Sequence, residues 1–258
     1  MCLIVFAHQV SAQFPLVVAA NRDEFHERPT APSAFWQEHP QVLAGRDLEL
    51  GGTWLGTTRT GRFAAVTNFR DPDRTAPAPC SRGALPLDFL LGTASPQRYL
   101  QAVVQRAHQY AGFNLLVGTG DELWYLSNSP GEQPQPLVPG IYGLSNARLD
   151  TPWPKAEKGK AKLLQLMSAA ELSHESLAEV VADQALAERP AAEAAPVISQ
   201  MDHLLSGQFI VGPHYGTRCT TTLWKTAQSQ LHWQELSFDA EGQTNHCQRQ
   251  TFRLSAKA

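Results

Sequence analysis

Apolar residues fall in short runs along this chain, and their period changes from block to block. Residues 3–8 and 14–20 are nearly continuous apolar stretches of strand length. The short polar segment 9–13 between them predicts a hairpin. Residues 62–68, 113–118, 122–127 and 141–146 carry the same signature. Thr119-Gly120-Asp121 predicts a hairpin turn between the second and third of these. Tyr215 to Trp224 and residues 231–238 add two strands near the end, with a start to that segment at 209–211. Helical spacing appears in 85–91 and again after Ser95-Pro96, an N-cap followed by proline at the first helical position. That helix carries Tyr99, Leu100, Val103, Val104 and Ala107 and should stop near Gly112. Ala161, Leu163, Leu164 and Leu166 mark a third helix, and Ser173 caps a fourth through Leu177, Val180 and Val181. Residues 26–50, 71–79 and 130–139 read as loops, 189–196 as a mobile Ala/Pro-rich stretch, 201–205 as a short helical turn, and 242–258 as a polar tail. Strands near both ends with helices between them predict two sheets covered by helices, in one α+β domain spanning 1–258.

Composition narrows the function classes. Hydrophobic residues make up 43% of the chain, enough for a sizeable core. A net charge of −3 gives no bulk electrostatic case for binding nucleic acid or an anionic membrane. Cys2, Cys80, Cys219 and Cys247 are widely spaced and form no C-x-x-C pair, which argues against a zinc ribbon and against covalent haem attachment. No metal site is indicated, and a reduced, cytoplasmic setting is the simplest expectation. The opening apolar run is too short for a signal segment, and no stretch reaches membrane-spanning length.

Candidate chemistry begins at Cys2. Removal of Met1 would leave a thiol and a free α-amine on one residue. The amine, with a reference pKa of roughly 7.7–8.0, is a usable base for the thiol. The bland reading is a small buried hydrophobe. The second strand runs into Asn21-Arg22-Asp23-Glu24, either a solvated loop or a site carried on a strand end. An arginine there would lower a thiol pKa, and a carboxylate would anchor an ammonium. Asn68 ends a strand, where it is a turn residue or an oxyanion donor. Gly51-Gly52-Thr53-Trp54-Leu55-Gly56 implies a tight turn or a close backbone approach.

Taken together, Met1-Cys2, Asn21-Arg22-Asp23-Glu24, Gly51-Gly52-Thr53-Trp54-Leu55-Gly56, Thr67-Asn68, Gly112-Phe113-Asn114-Leu115, Leu144-Ser145-Asn146 and Tyr215-Gly216-Thr217-Arg218 resemble the NRDE family, also called the transport and Golgi organisation protein 2 family. The resemblance covers nearly the whole chain. That family in turn resembles the N-terminal-nucleophile hydrolases of the choloylglycine hydrolase and penicillin V acylase type. It implies a four-layer αββα sandwich with Cys2 as nucleophile, Asn68 and Asn146 as oxyanion donors and Arg218 as the late arginine. The early Arg–Asp pair departs from the hydrolase pattern. Either Arg22 and Asp23 take those roles, or the register brings Asn21 and Glu24 there.

The resemblance implies one of two functions. The first is cleavage of a non-peptide amide, or a thioester, of a small partly apolar molecule, with no cofactor required. The second is binding and transport of haem or of an acyl-CoA or lipid, in a pocket walled by Trp54, Phe69 and Trp153 with Arg22, Arg70 and Arg218 at its mouth. His8, His26, His203 and His214 are possible iron ligands by type, but no spacing among them singles out a haem site.

Overall fold

The structure is a computed structural model that describes residues 2–69, 78–120, 122–169, 172–186, 203 and 205–255. Arg70, most of the 71–79 loop, the 189–196 stretch and most of 201–205 lie outside these residues.

Two antiparallel sheets face each other. The first contains β1 (Cys2–His8), β2 (Leu16–Phe25), β10 (Gly140–Leu144), β11 (Tyr215–Lys225), β12 (Gln230–Phe238) and β13 (Thr244–Arg253), in the order β10-β1-β2-β11-β12-β13. The second contains β3 (Thr30–Phe35), β4 (Val42–Asp47), β5 (Leu55–Thr58), β6 (Arg62–Asn68), β7 (Phe113–Thr119), β8 (Glu122–Ser127) and the short β9 (Gln135–Pro136), in chain order. Among the described residues four α-helices cover the outer faces. α1 (Ala84–Leu91) and α2 (Pro96–Arg106) pack on the second sheet, while α3 (Pro154–Ala169) and α4 (His174–Ala178) pack on the first. This is the four-layer αββα sandwich, of class α+β, that the resemblance implied.

Alternation along β1 and β2 sorts side chains into two cores. Ile4, Phe6, Val18 and Ala20 point between the sheets. Leu3, Val5, Ala7, Val17 and Ala19 point outward, onto Ala156, Leu163 and Met167 of α3 and Leu177 of α4. Both faces of these strands are covered, which is why they read as continuous apolar runs.

The structure departs from the sequence pattern at four places. Residues 26–50 hold two strands, β3 and β4, not a loop. β3 is an edge strand whose register shifts between Ala31 and Ala34, and Pro32 sits in that irregularity, where a missing N–H does no harm. β13 lies in the 242–258 stretch whose sequence predicts a polar tail. It too is an edge strand, mostly exposed, so it carries little hydrophobic pattern. Residues 209–211 form no strand. Finally, β2 does not stop at Ala20 but continues through Asn21-Arg22-Asp23-Glu24 to Phe25, because β1 pairs with it as far as Arg22 and β11 as far as Phe25.

Candidate functional site

Cys2 opens β1, is 7% exposed, and belongs to the cluster between the sheets. Its register partner is Arg22, and on the far side of β2 the partner of Arg22 is Cys219. The row Cys2–Arg22–Cys219 therefore runs across the end of the first sheet. Arg22 and Glu24 share the parity of Val18 and Ala20 and face the second sheet, 3.7 Å apart as an ion pair. Facing them are Trp54 and Asn68 at the ends of the second sheet's strands. Cys2, Arg22, Asp23, Glu24, Trp54, Asn68 and Arg218 all line one cavity of about 520 Å³.

Burial dominates the electrostatics. It pushes the Cys2 thiol above its ordinary pKa, Asp23 and Glu24 push the same way, and Arg22 opposes them. Asp23 is also raised by burial, against the pull of Lys155, Thr217 and Arg22. Its Oδ1 accepts from Thr217 Oγ1 at 2.7 Å, and its carbonyl accepts from Tyr215 Oη at 3.1 Å. Of the tetrapeptide, Arg22, Asp23 and Glu24 line the cavity and Asn21 does not. The partners of Asn21 lie on the helix side of the first sheet. There its Nδ2 donates to the carbonyls of Val181 (2.7 Å) and Gln208 (2.8 Å), and its Oδ1 accepts from Thr220 Oγ1 (2.7 Å).

The segment after β10 ties the sheets together beside Cys2. Ser145 Oγ lies 3.0 Å from the Cys2 carbonyl and 3.1 Å from Asn146 Oδ1. Asn146 Nδ2 donates to the backbone carbonyl of Asn68 at 3.0 Å. Thr67 Oγ1 donates to the Ser145 carbonyl at 2.6 Å, and Asn114 Nδ2 reaches both Thr67 Oγ1 (3.1 Å) and the Ala147 carbonyl (2.8 Å). The Asn146 amide thus holds Asn68 in place. The Asn68 side chain makes no hydrogen bond among the described residues and borders the cavity.

Arg218 is the extra residue of a β-bulge, since the register with β2 shifts between Thr217 and Cys219. The bulge aims its guanidinium at the β2–β3 connection. There Nη1 donates to the carbonyls of Phe25 (2.8 Å), His26 (3.2 Å) and Arg28 (3.1 Å). Phe69 and Trp153 are not cavity-lining residues. Phe69 is fixed through its backbone to Gly112, and Trp153, 46% exposed, sits just before α3. Of the aromatic wall expected from the sequence, only Trp54 lines the cavity.

Three wholly or partly buried charged residues are not marked out by the sequence: Glu235 and Arg82, which line the cavity, and Lys155, which does not. Glu235 is fully buried, and its Oε1 accepts from the Ser33 N–H at 2.6 Å. Burial raises its pKa and also raises that of its neighbour Cys219. The signal was present in the strand period, because Leu231, Trp233 and Glu235 fall on one face. Lys155 sits on the buried stripe of α3 with Gly159, Leu163 and Met167, at helical spacing. Its Nζ donates to the Leu205 carbonyl at 2.7 Å, and burial lowers its pKa against the attraction of Asp23 and Cys2. Arg82, between Ser81 and Gly83, also lines the cavity. Among the described residues no group of three or more His, Cys, Asp or Glu side chains is placed to hold a metal ion, and no helix is long and apolar enough to cross a membrane.

The family profile described as Transport and Golgi organisation 2 matches residues 1–240. The Transport and Golgi organization protein 2 homolog of Bos taurus is 36% identical over 261 residues, covering 92% of this chain and 93% of that protein. The homolog of Homo sapiens is 32% identical over 282 residues, covering the whole of both. Among solved structures, the C2A mutant of a conjugated bile acid hydrolase from Clostridium perfringens aligns over 100% of this chain and 99% of its own, at 9% identity and a TM-score of 0.43. That likeness is too faint to bear on function.

Proposed function

The chain belongs to the Transport and Golgi organisation 2 family, and for it we propose a hydrolase activity with Cys2 as N-terminal nucleophile, acting on a non-peptide amide or a thioester. The observation that carries this reading is the placement of Cys2. It stands buried at the head of a central strand and opens into a cavity shared with Arg22, Asp23 and Asn68. A merely structural cysteine has no need of such surroundings.

In this reading Met1 is removed and the α-amine of Cys2 becomes the base. The thiol is held above its ordinary pKa, so it rests protonated at neutral pH and needs that base. Sγ attacks the substrate carbonyl while the thiol proton passes to the amine. The Asn68 amide donates to the oxyanion, and Asn146 keeps Asn68 in position through its backbone carbonyl. Collapse of the adduct breaks the C–N or C–S bond, and the amine returns the proton to the leaving nitrogen or sulfur. Water then hydrolyses the acyl-enzyme thioester with the same amine as base. Arg22 and Asp23 flank the terminus with one charge of each sign.

Intact mass spectrometry combined with screens of acyl amides and thioesters tests the reading. The expected result is a chain lacking one methionine, with a turnover that Cys2→Ala reduces by at least about 10³-fold. Retention of Met1 in active protein, or activity that survives Cys2→Ala, rules the mechanism out.

A further inference from the structure

Two glycine motifs have no part in the chemistry above, and both converge on one side chain. A β-carbon on Gly52 would lie 2.5 Å from the Gly83 carbonyl. The Thr53 N–H donates to that same carbonyl at 3.1 Å. A β-carbon on Gly112 would lie 2.2 Å from the Phe69 carbonyl. The carbonyl of Gly112 accepts from the Phe69 N–H at 2.9 Å and from Arg82 Nη1 at 3.1 Å. The turn that carries Arg82 is therefore seated against Gly52-Thr53, and its guanidinium is steadied by Gly112.

Arg82 lines the same cavity as Cys2. The other arginines of that wall have partners. Arg28 pairs with Asp47 at 2.7 Å and Glu49 at 3.1 Å, Arg46 with Glu38, and Arg22 with Glu24, while Arg218 is held by three backbone carbonyls. Among the described residues Arg82 meets the Gly112 carbonyl and no carboxylate. A guanidinium offers five N–H donors in a fixed fork that matches a carboxylate or phosphoryl group. Glu24 attracts Arg82 but is paired with Arg22, so among the described residues no carboxylate is bound to this partly buried guanidinium, and it is placed to receive an anion.

We propose that Arg82 holds an anionic oxygen group, a carboxylate or a phosphoryl, on the molecule whose carbonyl Cys2 attacks. This substrate class rests on the reading of Cys2 as nucleophile.

The test compares alkylation of Cys2 by anionic iodoacetate and by neutral iodoacetamide. Labelled peptides are mapped, with the exposed Cys247 as internal reference. Relative to Cys247, Cys2 should favour iodoacetate. Arg82→Gln should lower that preference about tenfold, and Arg82→Lys should keep most of it. A preference unchanged by Arg82→Gln overturns the proposal. Should Arg82→Gln fail to fold, the wild-type preference measured against salt decides. Steering by a fixed charge weakens as ionic strength rises, and a salt-independent ratio overturns the proposal. A Cys2 inert to both reagents sinks the nucleophile reading instead. Thermal melting in inorganic phosphate and, separately, in succinate then judges the anion site. A rise in Tm that Arg82→Gln abolishes supports the site and identifies the oxyanion, whereas no Arg82-dependent rise in either overturns it.

Discussion

The two ends of the sandwich are built from the same strands and differ in what fills them. β1 runs from Cys2 to His8, β6 from Arg62 to Asn68, and β11 from Tyr215 to Lys225. At the His8 end, Leu16, Phe63, Leu123, Leu223, Leu231 and Leu254 close down until about 20 Å³ is left. At the Cys2 end the corresponding positions hold Arg22, Glu24, Asn68, Cys219 and Glu235, and about 520 Å³ stays open. Apolar side chains collapse onto one another because contact is their only demand. Buried polar groups must instead keep fixed partners, and those partners hold the walls apart. The site lies where the alternating strands turn polar on their inner face.

The sharpest way to break this comparison is to remove one large side chain from each end. Phe63→Ala empties the closed end and should cost about 3–5 kcal/mol. Trp54→Ala at the open end should cost visibly less, because one side of the ring already borders the cavity. Urea unfolding of both variants checks this, and equal losses would mean that the open end is packed as tightly as the closed one.

The two ends should also answer pH in opposite directions. His174 packs by the closed end, with Nδ1 2.8 Å from Thr222 Oγ1 and its ring 4.6 Å from Trp224. Burial, then Arg249 and His232, push its pKa down to about 4. An unfolded histidine titrates near roughly 6.5. As pH falls across that window the unfolded chain takes up a proton that native His174 refuses, so stability falls. The loss by pH 4.5 should be about 2 kcal/mol, and His174→Gln should remove it. Glu235 at the open end has the opposite sign. Its folded pKa is raised, so its contribution is present in acid and is lost as pH rises through that value. Glu235→Gln should therefore gain on the wild type between pH 5 and pH 8. Denaturant midpoints between pH 4.5 and pH 8 read both effects.

The sequence was most informative where one signal dominated. β6 and the hairpin of β7 and β8 lie nearly where periodicity placed them, because their positions are apolar and bounded by turn residues. Cys2 is legible as a candidate because it follows Met1, and Arg22, Asp23 and Asn68 because polar residues end apolar strands. Glu235 and Lys155 do not stand out in the sequence, although each continues a buried stripe at the right period. A charged residue in such a stripe is ordinarily taken as a break in the pattern. Arg82 has no local signal at all. Its placement depends on Gly52 and Gly112, thirty residues away on either side.

Arg218 offers the finest test of the comparison. It looked like a member of the chemistry, yet its guanidinium donates to the carbonyls of Phe25, His26 and Arg28, which close the turn leaving β2. Arg218→Lys keeps the charge but cannot span three carbonyls with one ammonium. If the role is to shape the rim, stability should fall by about 1 kcal/mol, a Tm change of about 2–4 °C. Alkylation of Cys2 by iodoacetamide should change less than about twofold, since the charge near the thiol is preserved. If Arg218 instead bears directly on the thiol, the labelling rate should move and the Tm should not. The result therefore separates a residue that holds the cavity open from one that acts inside it.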